Sequence, residues 1–189
     1  MQKNEVLEER IIRFESIDST HKYIKENHEF LKNGTIIIAN NQTAGIGAKD
    51  HKWHTGNGNI AMSILYKPTC KISELAGLTI EVAKAMQEVI KNLYDVALEI
   101  KEPNDLFLNG KKIGGILTEA NTIGEKINFL IISLGFNVSE VDFPKELREI
   151  ATSLKLELNQ YSERNIEKEE IILEFMKVLE MRMKNNIIF

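Results

Sequence analysis

The sequence is poor in cysteine and proline and has no long apolar run. Cys70 is the one cysteine among 189 residues. It therefore cannot form an intrachain disulfide or a thiolate metal cluster, which favours a reducing, cytoplasmic location. No stretch approaches the ~18 apolar residues of a membrane span, and the charged N-terminus lacks the ~7–15-residue apolar segment of a secretory signal. The sequence thus predicts a soluble protein with no membrane partner.

An excess of positive charge is also absent. Lys and Arg number 24 against 28 Asp and Glu, a net charge of -4, which argues against a surface dominated by contacts to nucleic-acid phosphates. The composition is that of a globular protein, with 43% hydrophobic and 28% charged residues. Domains usually hold ~100–200 residues and no linker or repeat divides the chain, so residues 1–189 are predicted to form a single domain.

The residue pattern of the N-terminal third of the sequence predicts a strand, a helix with an N-cap and a second strand. Apolar residues 11–14 precede the Asp-Ser-Thr of 18–20, whose side chains are good N-caps for a helix over residues 21–32. The β-branched run 35–39 then predicts a buried strand that leads into a glycine-bearing loop over residues 42–59.

The remainder alternates strands with two long helices. A strand is predicted at 60–66, a long helix over 72–93 with Ser73 as its cap, and a closing amphipathic helix from about residue 165. Three apolar runs between the helices indicate successive strands, with a two-residue hairpin turn at Asn109-Gly110: residues 98–105, 106–120 and 127–139. This mixture predicts an α+β fold, a mixed β-sheet with helices packed mainly on one face.

Four polar or glycine-bearing stretches depart from what packing alone requires. Residues 42–53 hold Gly45 and Gly47, which let backbone N–H groups approach an anion. A flexible surface loop fits equally well, and no Gly-Lys-Ser/Thr of a P-loop follows. Residues 101–105 place an asparagine and an aspartate after Pro103, either on a defined strand edge or in a simple turn.

The other two stretches are glycines inside apolar strands. Two lysines precede Gly114 and Gly115 in residues 111–117, and Gly135 lies in residues 134–138. Such glycines mark the close approach of a ligand or of another backbone, but a bulge and a strand end explain them as well. No metal site and no Ser/His/Asp nucleophile constellation is predicted, and a surface or loop position is expected for all four histidines: His21, His28, His51 and His54.

Read in order, these stretches resemble the catalytic domain of biotin protein ligases. The resemblance rests on six segments: Asp18-Ser19-Thr20, Gln42-Thr43-Ala44-Gly45-x-Gly47 with Trp53, Lys101-x-Pro103-Asn104-Asp105, Lys112-Ile113-Gly114-Gly115-Ile116-Leu117, Gly135-Phe136-Asn137-Val138 and Ala151-Thr152-Ser153-Leu154. Six segments in this order make coincidence an insufficient explanation. The fold that the resemblance implies is the mixed sheet of biotin and lipoate ligases, similar to class II synthetases.

The resemblance implies a two-step ligase that uses biotin, ATP and Mg2+. Biotin's carboxylate attacks the α-phosphate of MgATP to give biotinyl-5′-adenylate and pyrophosphate. A lysine of a biotin carboxyl carrier domain, such as that of acetyl-CoA carboxylase, then accepts the biotinyl group. Lys112 would be the catalytic cation on the carboxylate and the α-phosphate, with Asp105 near the incoming lysine and Lys101 as a second cation.

The resemblance also assigns binding residues. The biotin set comprises Ser19, Thr20, Gln42, Gly45, Ile46, Lys112, Gly115 and Leu117. The nucleotide set comprises Gly47, Ala48, Lys49, Trp53, Asn104 and Asn137. The backbone around Gly45 to Gly47 would order on ligand binding and shield the adenylate from water.

The sequence departs from the family pattern in its loop and in its expected domains. Ile46, Ala48 and His51 replace the usual loop arginines, which removes bidentate cations for the adenylate. Partial compensation is expected from Lys49, His51 and Lys52. Glu102 replaces the customary tryptophan. A short ligase without the helix-turn-helix and C-terminal β-barrel domains is expected, and hence no DNA binding. Homodimers through a sheet edge are common in the family.

Two alternatives remain open. A lipoate or octanoate ligase or transferase would use the same sheet and the same lysine, although Ser19, Thr20 and Gln42 favour the polar head of biotin. A non-catalytic relative that binds biotin without transferring it would explain the missing arginines, but the retained Lys112 argues against that reading.

Overall fold

The computed structural model describes residues 7–48, 52–56, 58–158 and 166–186. In that part of the chain seven strands form one sheet with the order β1-β2-β3-β7-β6-β5-β4. The strands are β1 (Ile11–Ile17), β2 (Ile36–Gln42), β3 (Ile60–Tyr66), β4 (Glu99–Lys101), β5 (Asp105–Leu108), β6 (Lys111–Ile123) and β7 (Lys126–Phe136). β1 and β2 are parallel, and the other neighbouring strands are antiparallel.

Helices cover the two faces of the sheet unequally. α2 (Leu78–Tyr94) and α4 (Lys168–Asn186) pack together on one face, whereas α1 (Thr20–Asn27) lies on the other. A 3₁₀ helix (Ile72–Leu75) precedes α2, and the short α3 (Leu154–Leu158) follows the last strand. This confirms the predicted α+β fold, a mixed sheet with its helices mainly on one face. None of these helices is long and apolar enough to cross a membrane.

The centre of the sheet is held by two apolar clusters. Successive side chains of a strand point to opposite faces, so Ile60, Met62 and Ile64 of β3 join the main core with α2 and α4. Leu65 instead joins a smaller cluster with Ile24 of α1. Burying each large aliphatic side chain contributes about 1.5–3 kcal/mol, so both clusters fix the sheet as a rigid platform.

Beside α1 the sheet face is lined by small residues. Ala61 of β3 lies opposite Gly135 of β7, and Gly135 lies opposite Gly115 of β6. One row further along, Ser63 lies opposite Ser133. A row without bulky side chains next to a row of hydroxyls leaves a depression on this face of the sheet.

The turn between β5 and β6 follows the sequence prediction. Asn109 and Gly110 have φ angles of 51° and 79°. Positive φ at both central residues is the geometry of a two-residue type I′ turn, so the predicted hairpin is confirmed. The register of the two strands shifts between Leu106 and Phe107, where β6 carries one extra residue, Ile113. This bulge decides which side chains of β6 face the depression.

The predicted start of the long helix at residue 72 is wrong. Gly77, with a φ of 80°, breaks the helical spacing, and α2 begins only at Leu78. Ser73 lies inside the 3₁₀ helix and caps nothing, while Glu74 accepts a hydrogen bond from the Lys71 N–H at 2.7 Å. The apolar pattern runs across Gly77 without interruption, so periodicity alone does not reveal the left-handed break.

The first helix begins as predicted but ends early. Ser19 is its N-cap, and the Ser19 hydroxyl accepts a hydrogen bond from the Lys22 N–H at 3.4 Å. The helix ends at Asn27, whose carbonyl accepts a hydrogen bond from the Phe30 N–H at 3.0 Å. This tight turn replaces the predicted helical residues 28–32.

Candidate active site

The depression opens into a cleft on this face of the sheet, lined by residues of α1, β2, β3, β6, β7 and the loop after β2. One end of the cleft is formed by the start of α1 and the end of β2. The other end is formed by the loop after β2 and the start of β6. The head pocket comprises Ser19, Thr20, His21, Gln42 and Ser133, together with the fully buried Ser63, which contacts Thr20 and Ser133. The loop end comprises Ile46, Gly47, Ala48, Trp53, Asn104 and Lys112.

The head pocket is a set of neutral polar groups held by one another. The Oε1 atom of Gln42 accepts a hydrogen bond from the Thr20 N–H at 2.9 Å, and its Nε2 donates to the Thr55 hydroxyl at 3.0 Å. The Thr20 hydroxyl lies 2.8 Å from that of Ser63. Because donors and acceptors alternate here without a charge, the pocket suits a compact, uncharged polar group.

A chain of hydrogen bonds continues from the head pocket through the sheet face. The Ser63 and Ser133 hydroxyls are 2.7 Å apart, and the Ser133 hydroxyl is 2.9 Å from Nδ1 of His21. Nε2 of His21 lies 3.0 Å from one oxygen of Glu119, whose other oxygen is 2.8 Å from the Lys25 ammonium. Five side chains from α1, β3, β6 and β7 thus join the pocket to the protein surface.

The sequence interpretation missed this chain. A surface or loop position is wrong for His21, which is only 4% exposed. The signals available were the isolated hydroxyls of Ser63 and Ser133 in otherwise apolar strands, and Glu119, which lies two residues from Leu117 and therefore shares its face. Each of these reads as ordinary in isolation, because the partners lie far apart in sequence.

Burial and the neighbouring charges fix the protonation of the chain. Burial lowers the pKa of His21, and the contact with Glu119 opposes this shift only in part. Burial would raise the pKa of Glu119, but hydrogen bonds from Lys25 and His21 outweigh it and hold that pKa below its usual value. Glu119 is thus a carboxylate, which only accepts, so Nε2 of His21 carries the imidazole proton and Nδ1 is an acceptor.

At the loop end, Trp53 lies against the row of small residues. A Cβ on Gly135 would come within 2.6 Å of the Trp53 Nε1 atom, and one on Gly115 within 3.4 Å of Cζ3. Glycine at Gly135 is therefore what allows the indole to reach the sheet. The backbone N–H of Trp53 donates a hydrogen bond to the Gly45 carbonyl at 2.9 Å, which holds the loop closed at its base. Among the described residues the buried Nε1 has no partner, so this donor is available to a ligand.

The bulge in β6 turns Lys112 onto the face of the cleft. Lys112 is three residues from Gly115, and regular alternation would place the two on opposite faces. Because Ile113 is the extra residue and faces the core, Lys112 lies beside Gly115, and its ammonium is 2.7 Å from Asp105. The backbone of Lys112 also binds Ile150 and Thr152, with bonds of 2.8 and 2.9 Å. These two hydrogen bonds therefore fix the backbone that carries the Lys112 ammonium.

Most of the predicted binding residues line this cleft. They are Ser19, Thr20, Gln42, Ile46, Gly47, Ala48, Trp53, Asn104, Lys112, Gly115 and Leu117. Asp105 lies beside the cleft through its ion pair with Lys112. Gly45 contributes backbone behind Trp53 rather than cleft surface. Lys49 and His51 lie outside the described residues.

Two predicted residues are placed elsewhere. The Lys101 ammonium lies over the Phe107 ring, 3.6 Å from its centroid, and Lys101 is not part of the cleft wall. Asn137 is 4% exposed, and its side-chain amide donates to the Thr152 carbonyl at 3.0 Å. The structure therefore gives Asn137 the task of holding the 151–154 segment against β7, because a buried amide is satisfied by the nearest backbone.

Comparisons with known proteins identify the family of the chain. Residues 13–137 match the model of the biotin/lipoate A/B protein ligase family. The bifunctional ligase/repressor BirA of Bacillus spizizenii is 35% identical over 190 residues, which cover 97% of this chain and 56% of that protein. The chain thus spans little more than half the length of this relative. Biotin--[acetyl-CoA-carboxylase] ligase of Paracoccus denitrificans is 29% identical over 124 residues, 65% of this chain and 52% of that protein.

A solved structure has the same architecture. The biotin protein ligase from Aquifex aeolicus, in complex with biotin and ATP, superposes with a TM-score of 0.80 at 26% identity, over 93% of this chain and 71% of that one. Sequence and fold agree, and the chain belongs to the biotin/lipoate A/B protein ligase family.

Proposed function

We propose that the chain is a biotin protein ligase. It condenses biotin with MgATP to biotinyl-5′-adenylate, releases pyrophosphate and transfers the biotinyl group to a lysine of a biotin carboxyl carrier domain, such as that of acetyl-CoA carboxylase. The observation that carries the proposal is a single cleft in which a neutral polar pocket faces a lysine–aspartate pair. The similarity to the Bacillus, Paracoccus and Aquifex proteins, which are biotin ligases, supports it.

The head pocket favours biotin over other acyl substrates. Biotin ends in an uncharged cyclic urea with two N–H donors and a carbonyl acceptor, which matches the buried hydroxyl of Thr20 and the amide of Gln42. A lipoyl or octanoyl chain has no such group and would cover the remaining lone pairs of these polar atoms without offering them a hydrogen-bond donor. Sites built to hydrogen-bond a substrate reject analogues that lack the bond, because their own buried groups then lose their partners.

Lys112 would bring the two anions together in the first step. The biotin carboxylate attacks the α-phosphorus, the bond to pyrophosphate breaks, and negative charge gathers on the phosphoryl oxygens. A fixed ammonium stabilises that charge in the transition state. In the free protein Asp105 holds this ammonium in place at 2.7 Å. The backbone clamp to Ile150 and Thr152 limits the reorganisation that the reaction needs.

Asp105 would serve the second step. The neutral amine of the acceptor lysine attacks the acyl carbon, the bond to AMP breaks, and the attacking nitrogen must lose a proton. The carboxylate of Asp105, 29% exposed and beside Lys112, is the group that we assign to receive it.

Magnesium would enter on the triphosphate. In the described part of the chain no group of three or more His, Cys, Asp or Glu side chains is placed to hold a metal ion. Mg2+ in nucleotide sites takes its ligands from phosphates, waters and one or two carboxylates, so such a cage is not required. The nucleotide itself would lie at the loop end beneath Gly47, Ala48 and Trp53.

We propose further that residues 1–189 act as one domain in the cytoplasm. The described strands share one sheet, and Cys70 is a buried free thiol, which suits a reducing compartment. β1 and β4 are the edges of that sheet, and an edge strand can pair with a second copy of the chain. We therefore propose a homodimer that forms through a sheet edge. Gel filtration at several protein concentrations tests whether the chain dimerises.

The activity is tested by a competition for adenylate formation. The protein is incubated with MgATP and an equimolar mixture of biotin, lipoate and octanoate, and mass spectrometry identifies the acyl-adenylates. We expect biotinyl-adenylate alone, followed by biotinylation of an added carrier domain on one lysine. Lipoyl- or octanoyl-adenylate would assign the chain to the lipoate branch. Biotin binding without any adenylate would make it a non-catalytic relative.

A further inference from the structure

The observation behind this inference is the polar chain beneath the head pocket. It runs from Thr20 through Ser63 and Ser133 to His21 and Glu119, with successive heavy-atom distances of 2.8, 2.7, 2.9 and 3.0 Å. Buried chains of this kind are directional, because each hydroxyl has a single hydrogen to donate. The direction in which that hydrogen points along the chain decides what the last hydroxyl offers to a ligand.

The neutral imidazole sets the direction. Since Nε2 of His21 donates to Glu119, Nδ1 accepts the hydrogen of the Ser133 hydroxyl. The hydrogen of Ser63 must then point to Ser133, and the hydrogen of Thr20 to Ser63. The Thr20 oxygen therefore receives no hydrogen bond from the chain, and its lone pairs are open to the cleft that Thr20 lines. It is an acceptor for a ligand N–H.

Protonation of His21 reverses every link. With hydrogens on both ring nitrogens, Nδ1 donates to Ser133, Ser133 donates to Ser63 and Ser63 donates to Thr20. The Thr20 hydrogen is then free to point to Oε1 of Gln42, 3.2 Å away. One lone pair of the Thr20 oxygen is now occupied by Ser63, and the amide oxygen of Gln42 is occupied as well. The head pocket is a weaker acceptor in this state.

We infer that His21 is a positioning residue, which through Ser133 and Ser63 holds the Thr20 hydroxyl as an acceptor for the urea N–H of biotin. This rests on the proposed function, because the cyclic urea is the ligand group invoked. In this scheme His21 acts on the Thr20 acceptor through two hydroxyls, those of Ser133 and Ser63. The assignment goes beyond the predicted binding residues, because it gives Ser63, Ser133 and Glu119 a part in setting the direction of the hydrogen bonds.

The surroundings of His21 leave few other groups to titrate. β6 presents Glu119, α1 presents Lys25 behind that carboxylate, and β3 and β7 present the neutral hydroxyls of Ser63 and Ser133. Burial works against the imidazolium, and Glu119 works for it. Because the neutral form binds better, affinity is complete above the pKa of His21 and falls as the pH drops through it.

Calorimetry and NMR test this assignment together. Biotin affinity is measured at pH 8 and at a pH below the His21 pKa that the NMR titration gives, for the wild type, His21→Asn, Ser133→Ala and the control His28→Asn. The control removes a histidine that follows the same helix but lies outside the hydrogen-bonded chain. The dissociation constant of the wild type and of His28→Asn should rise about threefold to tenfold at the lower pH, the worth of one hydrogen bond. It should not change with pH in His21→Asn and Ser133→Ala. Nitrogen-15 spectra of the free protein should show the Nε2–H tautomer of His21, and biotin should lower its pKa.

The outcomes separate this inference from the proposed function. An Nδ1–H tautomer, or the same pH dependence in Ser133→Ala as in the wild type, would overturn the positioning role and leave the ligase assignment intact. If the wild type fails to bind biotin at pH 8, the proposed function is wrong. The role of His21 in biotin binding then falls with it. Circular dichroism at both pH values shows whether each variant is folded when it is measured.

Discussion

The two ends of the cleft are built in different ways. The polar side chains of the head pocket come from α1, β2, β3 and β7 and hold one another: Thr20 is 3% exposed, Ser63 is fully buried and Ser133 is 9% exposed. The loop end is more open, with Ile46 at 41% exposure, and its contacts are backbone glycines, one indole and the Lys112–Asp105 pair. One end is set by the sheet, and the other by a loop.

For the proposed ligase, this difference indicates how its two substrates, biotin and ATP, would be handled. A pocket whose groups are already paired binds with little reorganisation, which favours selectivity for one head group. A loop that rests on glycines can lift and close, which suits the entry of ATP, the release of pyrophosphate and the exclusion of water from the adenylate. Changes at the loop end should therefore alter adenylate chemistry more than biotin affinity, and changes in the head pocket should do the reverse.

The largest effect is expected from Lys112→Ala. Removal of the one ammonium at the loop end of the described cleft should lower the rate of biotin-dependent pyrophosphate release by at least about 100-fold, as loss of a fixed transition-state charge does elsewhere. The fold should remain, because the clamp to Ile150 and Thr152 uses backbone atoms of this residue. Lys111→Ala is the matched control, since that ammonium contacts the Arg148 carbonyl, and it should stay within about twofold of the wild type. Near-normal pyrophosphate release by Lys112→Ala would remove the assigned role.

Gly135→Ala should change the loop end of the cleft and leave the head pocket almost unaffected. A Cβ at this position would lie 2.6 Å from Nε1 of Trp53 and would push the indole off the sheet. Stacking on an aromatic ring is worth about 1–3 kcal/mol per base, so biotinyl-adenylate should dissociate roughly tenfold faster, while the dissociation constant for biotin changes less than about twofold.

The single tryptophan makes this displacement visible. The emission of Trp53 should move to longer wavelength in Gly135→Ala and much less in Gly115→Ala, where a Cβ would meet the ring at an ordinary 3.4 Å. Equal emission spectra in the two variants would mean that the indole does not rest on this row of glycines. Thermal unfolding of both variants checks that the sheet itself is intact.

Thr55→Val tests the bond that joins the two ends. The Thr55 hydroxyl accepts from Nε2 of Gln42 at 3.0 Å and ties the loop to the head pocket. Without it, one end of the Gln42 amide is released, and the dissociation constant for biotin should rise about threefold to tenfold by calorimetry. Thr43→Val, at an exposed position of the same loop, is the control and should bind as the wild type does. Unchanged binding in Thr55→Val would show that Thr20 alone orients Gln42.

Local chemistry made part of this molecule predictable. Ser19 is the cap of α1, Asn109-Gly110 is the hairpin turn, and the strand glycines mark a close approach, all as the sequence indicates. The start of α2 was not predictable from periodicity, because the conformation of Gly77 overrides it. Local patterns succeed where a few neighbouring residues decide the geometry.

The details of the site depend on long-range contacts. Lys112 faces the cleft because of a bulge at Ile113, and alternation would have turned it away. His21 meets Ser133 across 112 residues, so neither residue carries a local signal of the other. The motifs thus locate the cleft, whereas the direction of Lys112 and the polar chain beneath the head pocket follow from the register of strands that the sequence does not fix locally.

The smallest effect is expected from restoring charge at the loop end with Ile46→Arg and Ala48→Arg. Both positions line the cleft, and Ile46 is 41% exposed, so each guanidinium can reach the phosphate of a bound adenylate while partly solvated. An exposed ion pair contributes little and is screened by salt, so dissociation of biotinyl-adenylate should slow by about twofold to fivefold at low salt and by less at 0.5 M salt. Biotin affinity should stay constant, because the head pocket is unchanged. Ile72→Arg, an exposed apolar residue of the 3₁₀ helix, controls for added charge remote from the site. If dissociation is equally fast in the double variant and in this control, Lys49, His51 or another group already supplies the charge that the adenylate needs.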